Sequence, residues 1–144
     1  MNMKTFRKTL SANDVGSTGG HQAGILIPKG EKELLRILPP LDPSVKNPDA
    51  WIQCVDEKGE KLRLRFVYYN NKLHDNGGTR NEYRVTRMTG WFRDVGARVG
   101  DELEISKDDS NDNYEIRLLS KVAQNAASDE NGVRIKITKW RRVH

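Results

Sequence analysis

Two stretches of this 144-residue chain carry most of the side chains suited to chemistry. The first is Ser11-Ala12-Asn13-Asp14-Val15-Gly16-Ser17-Thr18-Gly19-Gly20-His21-Gln22. Its glycines permit positive φ and close backbone approach, and bare N–H groups in such a loop bond phosphate oxygens. Asn13, His21 and Gln22 offer paired donors and acceptors of the kind that match base edges. No Gly-Lys-Ser/Thr follows, so this is not a nucleotide-binding P-loop. A flexible hairpin loop without a ligand has the same composition. The second stretch is Tyr68-Tyr69-Asn70-Asn71, then Gly77-Gly78-Thr79-Arg80-Asn81-Glu82-Tyr83-Arg84-Val85-Thr86-Arg87. If Glu82 to Arg87 is extended, Glu82, Arg84 and Thr86 share one face. An arginine fork takes guanine O6 and N7, and a glutamate accepts from cytosine N4. Arg80, at the tip of the preceding turn, can reach a base or a phosphate. A Glu–Arg ladder that merely solvates a sheet face is the alternative.

Other chemistry finds less support. A metal-dependent nuclease needs its acids and a lysine clustered at one metal. Asp49, Asp56 and Lys58 supply the residue types, and a small nuclease using them is the second reading. However, Asp49 is expected in a proline-flanked loop and Glu57-Lys58-Gly59 in a hairpin turn, which makes the set a coincidence. His21, His74 and His144 are far apart and have no cysteine at metal spacing, so neither a metal nor a cofactor is expected. Cys54 is the one cysteine, which excludes an internal disulfide and suits a reducing interior. It is expected to be buried in an apolar strand beside Trp51. Trp51 and Phe66 read as core, and Trp91 as packing beneath the basic segment. Aromatics total 7%, too few for the exposed stacking groove of a single-strand or RNA-binding barrel, the third reading.

The elements that must hold these residues are mostly short strands. Leu62, Leu64, Phe66 and Tyr68 alternate with Arg63, Arg65, Val67 and Tyr69, and Val133, Ile135 and Ile137 alternate with polar residues in the same way. Further strands are predicted at Thr5–Leu10, Gly24–Pro28, Trp51–Val55, Glu82–Thr86, Glu102–Ser106 and Tyr114–Leu119. One helix is predicted at Glu31–Ile37, stopped by Pro39-Pro40. Loops are expected at Leu41–Asp49, Asn70–Gly78 and Asp108–Asn113. The fold is therefore expected to be mainly β, a single closed or nearly closed barrel with one or two short helices, with a sandwich as the alternative. The basic end, Lys139 to His144, reads either as the start of a linker or as a last strand. No apolar run is long enough for a membrane span.

Charge is sorted along the chain. The total is +5, but Lys61 to Arg93 holds eight Lys/Arg against Asp75 and Glu82, a net of +6. Asp101 to Glu115 holds seven acids against Lys107, a net of −6. One basic and one acidic face are the expectation, with ordinary solvated strand faces as the alternative.

The two stretches together resemble the N-terminal DNA-recognition domain of EcoRII-type restriction endonucleases. The resemblance is carried by Ser11–Gly24, Ile27-Pro28, Tyr68–Asn70 and Thr79–Arg87, in that order and spacing, and covers about Leu10 to Arg87. It implies a seven- to eight-stranded open pseudobarrel of the kind found in plant B3 domains. Two arms, residues 9–26 and 76–88, would grip duplex DNA from the major-groove side, at sites such as CC(A/T)GG. His21, Arg80, Glu82 and Arg84 fall on the family's DNA-contact positions. Asn13, Gln22, Asn81 and Arg87 follow as contacts or loop supports, and Tyr83 as a phosphate partner. Gly78 and Tyr83 replace lysines of the family's type enzyme, and Leu26 replaces a tyrosine, which implies fewer backbone contacts. Arg63, outside both arms, is expected to matter much less than Arg84. The nuclease of such enzymes is a separate C-terminal domain. The implied partner is double-stranded DNA, bound by a non-catalytic, cytoplasmic, monomeric domain.

Overall fold

The computed structural model describes residues 3–16, 24–120 and 140–143. His21, Gln22 and the strand predicted around Val133–Thr138 lie outside the described residues. Eight strands are present among them, in the sheet order β2-β5-β4-β3-β7-β6-β1-β8. They are β1 (Met3–Thr9), β2 (Ile25–Ile27), β3 (Asp49–Val55), β4 (Lys61–Tyr69), β5 (Glu82–Thr86), β6 (Glu102–Asp108), β7 (Tyr114–Leu119) and β8 (Trp140–Arg142).

Two antiparallel halves make the sheet. In one, β4 is flanked by β3 and β5, and β2 lies outside β5. In the other, β6 is flanked by β7 and β1, and β8 lies outside β1. A short parallel contact between β3 and β7 joins them, Cys54 to Tyr114 and Val55 to Glu115. At the opposite seam a side chain bridges the two edge strands: Trp140 Nε1 donates to the Leu26 carbonyl at 3.1 Å. The result is the nearly closed barrel expected, with one row of strands curling back on itself.

Alternation decides what the barrel encloses. Leu64 and Phe66 of β4 are buried, as are Phe6 of β1, Ile52 and Cys54 of β3 and Ile105 of β6. Residues between them point outward. The helix α2 (Lys32–Ile37) sends Leu34 into the core and ends where Leu38 turns extended ahead of Pro39.

Several expectations need correction. Three further short helices are present: α1 (Ala12–Val15), α3 (Asn71–His74) and α4 (Thr89–Val95). The last buries Trp91 and Phe92. Asp49 opens β3 instead of lying in a loop. Of the two readings for the basic end, Trp140–Arg142 is a strand, with Trp140 buried. Trp51 is not core: it is 44% exposed on the outer face of β3.

Candidate nucleic-acid interface

The outer face of β2-β5-β4-β3 collects the second stretch. Register sets Arg84 opposite Val67, which is opposite Asp49; one step along, Thr86 faces Arg65, which faces Trp51. Leu26 of β2 lies opposite Arg84. The segment 76–88 enters this face at Glu82, the first residue of β5. The segment 9–26 rejoins the sheet beside the other end of β5, where the Gly24 carbonyl accepts from Arg84 Nη1 at 2.8 Å. A side chain at Gly24 would collide with the Val85 carbonyl and Thr86, so only glycine fits this close approach. The two segments thus leave the sheet at opposite ends of one five-residue strand.

At the centre lies an arginine–glutamate–arginine set. Arg84 Nε donates to Glu82 Oε2 at 2.5 Å, and Arg80 Nε contacts Glu82 Oε1 at 3.4 Å. The Arg80 guanidinium stacks on the Tyr69 ring at 3.8 Å. Arg84 is therefore held at two points, by Glu82 and by Gly24, and its remaining donors have no partner among the described residues. Glu82 keeps lone pairs beyond the two engaged. The arrangement is oriented before any ligand arrives.

The loop behind the set is tightly braced. Asn70 is fully buried; its side chain accepts from Asn47 N–H and donates to the Val45 carbonyl at 2.9 Å. Asn71 Oδ1 accepts from Arg80 N–H at 2.7 Å, and Lys72 N–H donates to the Arg80 carbonyl. At Gly78 a Cβ would lie 2.2 Å from the Asn71 carbonyl oxygen. A lysine at this position needs a different loop, so its absence here is built into the backbone. Asn81 Oδ1 accepts from both Lys29 Nζ and Tyr68 Oη. Tyr83 lies on the opposite face of β5 from Glu82 and Arg84, stacked on Tyr68 at 4.4 Å and on Phe66 at 5.7 Å. Burial and the neighbouring Tyr68 raise its pKa.

The root of the first segment is fixed separately. Ser11 and Asp14 form a reciprocal capping box at α1, and Asp14 also pairs with Lys8 of β1, both buried. Asn13 is exposed on α1. Arg87 sits at the far end of β5 with φ +73, over the Trp51 ring at 5.8 Å. Arg63 lies over the same ring at 4.8 Å. Arg80, Glu82 and Arg84 are thus brought together, Arg87 lies at the strand's other end, and Asn81 supports the loop. Lys29 is not singled out in the sequence and Trp51 reads there as core, although the alternation of β3 and β4 already places Trp51 and Arg63 outward.

The nuclease set is dispersed. Asp49 and Asp56 lie at the start of β3 and just beyond its end, roughly 20 Å apart for an extended run. Asp49 is paired with Arg65 at 2.6 Å. Asp56 Oδ1 accepts from the Lys58 and Glu60 N–H groups, and Oδ2 from Trp91 Nε1. Burial works against its charge, but these hydrogen bonds and the nearby Lys58 outweigh it and hold its pKa low.

The chain is 37% identical over 94 residues to the type II restriction enzyme EcoRII of Escherichia coli, covering 60% of this chain and 21% of that enzyme. It thus spans about a fifth of that relative's length. The fold is similar to that of the protein in the solved Arabidopsis FUS3-DNA complex, with a TM-score of 0.58 and 22% identity, covering 79% of this chain and 94% of that one. The family model described as restriction endonuclease EcoRII, N-terminal, matches residues 1–131. On that match, over a B3-like barrel, the chain belongs to the EcoRII N-terminal domain family.

Proposed function

We propose that this chain is a non-catalytic, sequence-specific binding module for duplex DNA. It serves as the specificity or effector domain of a longer restriction endonuclease in a bacterial cytoplasm. It reads a short G·C-containing site of the CC(A/T)GG kind from the major-groove side, with segments 9–26 and 76–88 on either flank. One observation carries this reading: Arg80, Glu82 and Arg84 stand pre-oriented on the sheet face from whose two ends those segments depart. Arg84 donates to guanine, Glu82 accepts from cytosine, and Arg80 takes a neighbouring base or phosphate. Asn81 holds the loop, while His21, Gln22 and Asn13 complete the contacts from the first segment. Membership of the EcoRII N-terminal family and the likeness to FUS3, itself solved as a DNA complex, support the same assignment.

Selection of bound sequences from a random duplex pool at physiological salt tests it. A G·C-bounded motif is expected, and Arg84→Ala should cost about 1–3 kcal/mol and relax the preference at one G·C pair. An unselective pool, or a preference for single strands, ends the proposal. Plasmid incubated with Mg²⁺ should be shifted and left intact; fragments would favour the nuclease reading instead.

A further inference from the structure

The exposed indole of Trp51 lies outside the arginine–glutamate set and carries two cations of its own. Of the three tryptophans, Trp91 and Trp140 are 7% and 6% exposed, against 44% for Trp51. Two guanidinium groups lie over its ring, Arg63 of β4 at 4.8 Å and Arg87, just past the end of β5, at 5.8 Å. Both arginines are exposed. Arg7, Arg65, Arg80, Arg84, Arg117 and Arg141 each have a carboxylate partner. Among the described residues Arg36, Arg63, Arg87, Arg93 and Arg98 have no ion pair, and of these Arg63 and Arg87 share one ring.

We propose that Trp51, Arg63 and Arg87 form a backbone-phosphate site that holds bound duplex beside the base-reading set. The inference rests on the duplex-binding reading above and adds a site to it.

The chemistry follows from the cation–π contacts. A guanidinium held over an indole keeps an N–H edge available for a ligand. That edge matches two phosphate oxygens, while the indole restricts the rotamers that binding would otherwise have to freeze. Two such groups on one ring concentrate positive charge, and among the described residues neither is ion-paired with a carboxylate. Arg87 also holds a left-handed backbone, φ +73, a conformation costly for any residue with a side chain. Such strain is found where position matters more than local comfort. Placement favours DNA over an acidic protein partner. Trp51 shares its outer face with Arg84 through the row Trp51, Arg65 and Thr86. It stands at the end of β5 where segment 9–26 rejoins the sheet, so a duplex lying on Arg84 carries a phosphate strand across it.

The test uses the whole 144-residue chain in anisotropy titrations. The probes are a duplex with a central CC(A/T)GG site and a scrambled duplex, each over a range of salt. Arg63→Gln and Trp51→Ala should weaken both duplexes alike, by about threefold or more at physiological salt. The slope of log affinity against log salt should shrink by about 0.9 per lost phosphate contact, with the preference between duplexes unchanged. Trp51→Phe should recover part of the loss. If Arg63→Gln and Trp51→Ala match wild type while Arg84→Ala loses discrimination, the phosphate site is wrong and the duplex reading stands; the cluster then belongs to another partner. If the wild-type chain binds neither duplex, both fall.

Discussion

The two halves of the barrel both display arginines on their outer faces, and they use them in opposite ways. On β8-β1-β6-β7, one register row reads Arg141, Arg7, Glu104, Arg117. Glu104 accepts from Arg7 at 2.7 Å and from Arg117 at 2.6 Å, and Glu102 takes Arg141 at 2.8 Å. This face is closed on itself. On β2-β5-β4-β3 Glu82 serves Arg80 and Arg84 and Asp49 serves Arg65, while Arg63 and Arg87 rest on Trp51. For Arg63 and Arg87 an aromatic ring takes the place of a paired carboxylate, so their charge is not cancelled by an ion pair among the described residues. The difference corrects the expectation of a basic and an acidic face. The acidic segment's two buried glutamates are consumed by arginines from β1, β7 and β8, leaving a neutralised face opposite an available one.

The largest expected effect separates the faces through stability. Glu104→Ala leaves Arg7 and Arg117 without their carboxylate, and should cost ~2 kcal/mol, below the figure for a fully buried pair because both arginines are partly exposed. Urea melts measure the loss, and duplex affinity at equal folded fraction should not change. A binding defect from this variant would erase the contrast between the faces. The same residue sets an acid limit. Burial opposes the Glu104 charge, but the Arg117 and Arg7 hydrogen bonds and charges prevail and lower its pKa from 4.5. A carboxylate held low in the folded state stabilises above its unfolded pKa, and the gain is lost as pH falls through the folded value. The melting temperature should therefore drop below about pH 4.5, and Glu104→Gln should flatten that drop.

Much of this is legible in the chain, for local reasons. The sequence bounds β5 and β7 correctly because period-two alternation and flanking turn residues coincide there. The arginine–glutamate set is legible too, since Glu82 and Arg84 are two apart on a strand and need no distant information. Trp51 is misread as core although the signal is present: Cys54 is three residues away, so if Cys54 points inward Trp51 points out. Its aromatic character outweighs the alternation. The helix α4 escapes because Gly90 interrupts it and no side chain caps its start. The closed face cannot be read locally, because Glu104 meets Arg7 across 97 positions of sequence. The strand β8, three residues with one apolar side chain, is legible only as one of two readings of the basic end, since the β1 edge it pairs with is distant in sequence.

A chemically inert point on the inner side bounds the comparison. Cys54 lies on β3 two residues before Asp56 and is 1% exposed. Burial pushes its thiol up to about 12, so the nucleophilic thiolate is scarce at neutral pH. Native protein should resist a thiol-labelling reagent for as long as it stays folded, and labelling in urea should follow the unfolding curve. Fast labelling without denaturant would mean that β3 opens locally, and Trp51 on its other side would then be a poor platform.

The smallest effect is the sharpest probe of the open face. Arg87→Ala and Arg87→Gly remove the same guanidinium and should weaken duplex binding equally. They differ only in what the backbone tolerates at φ +73. Alanine keeps the Cβ that crowds the left-handed conformation, whereas glycine does not, although glycine gives up more chain entropy on folding. The glycine variant should be more stable by ~0.5–1 kcal/mol, readable as a shift in urea midpoint at constant slope. Equal stability would mean that Arg87 is not held left-handed and that no strain supports its position over Trp51. Duplex affinity retained by both variants would instead leave Arg63 as the cluster's single phosphate ligand.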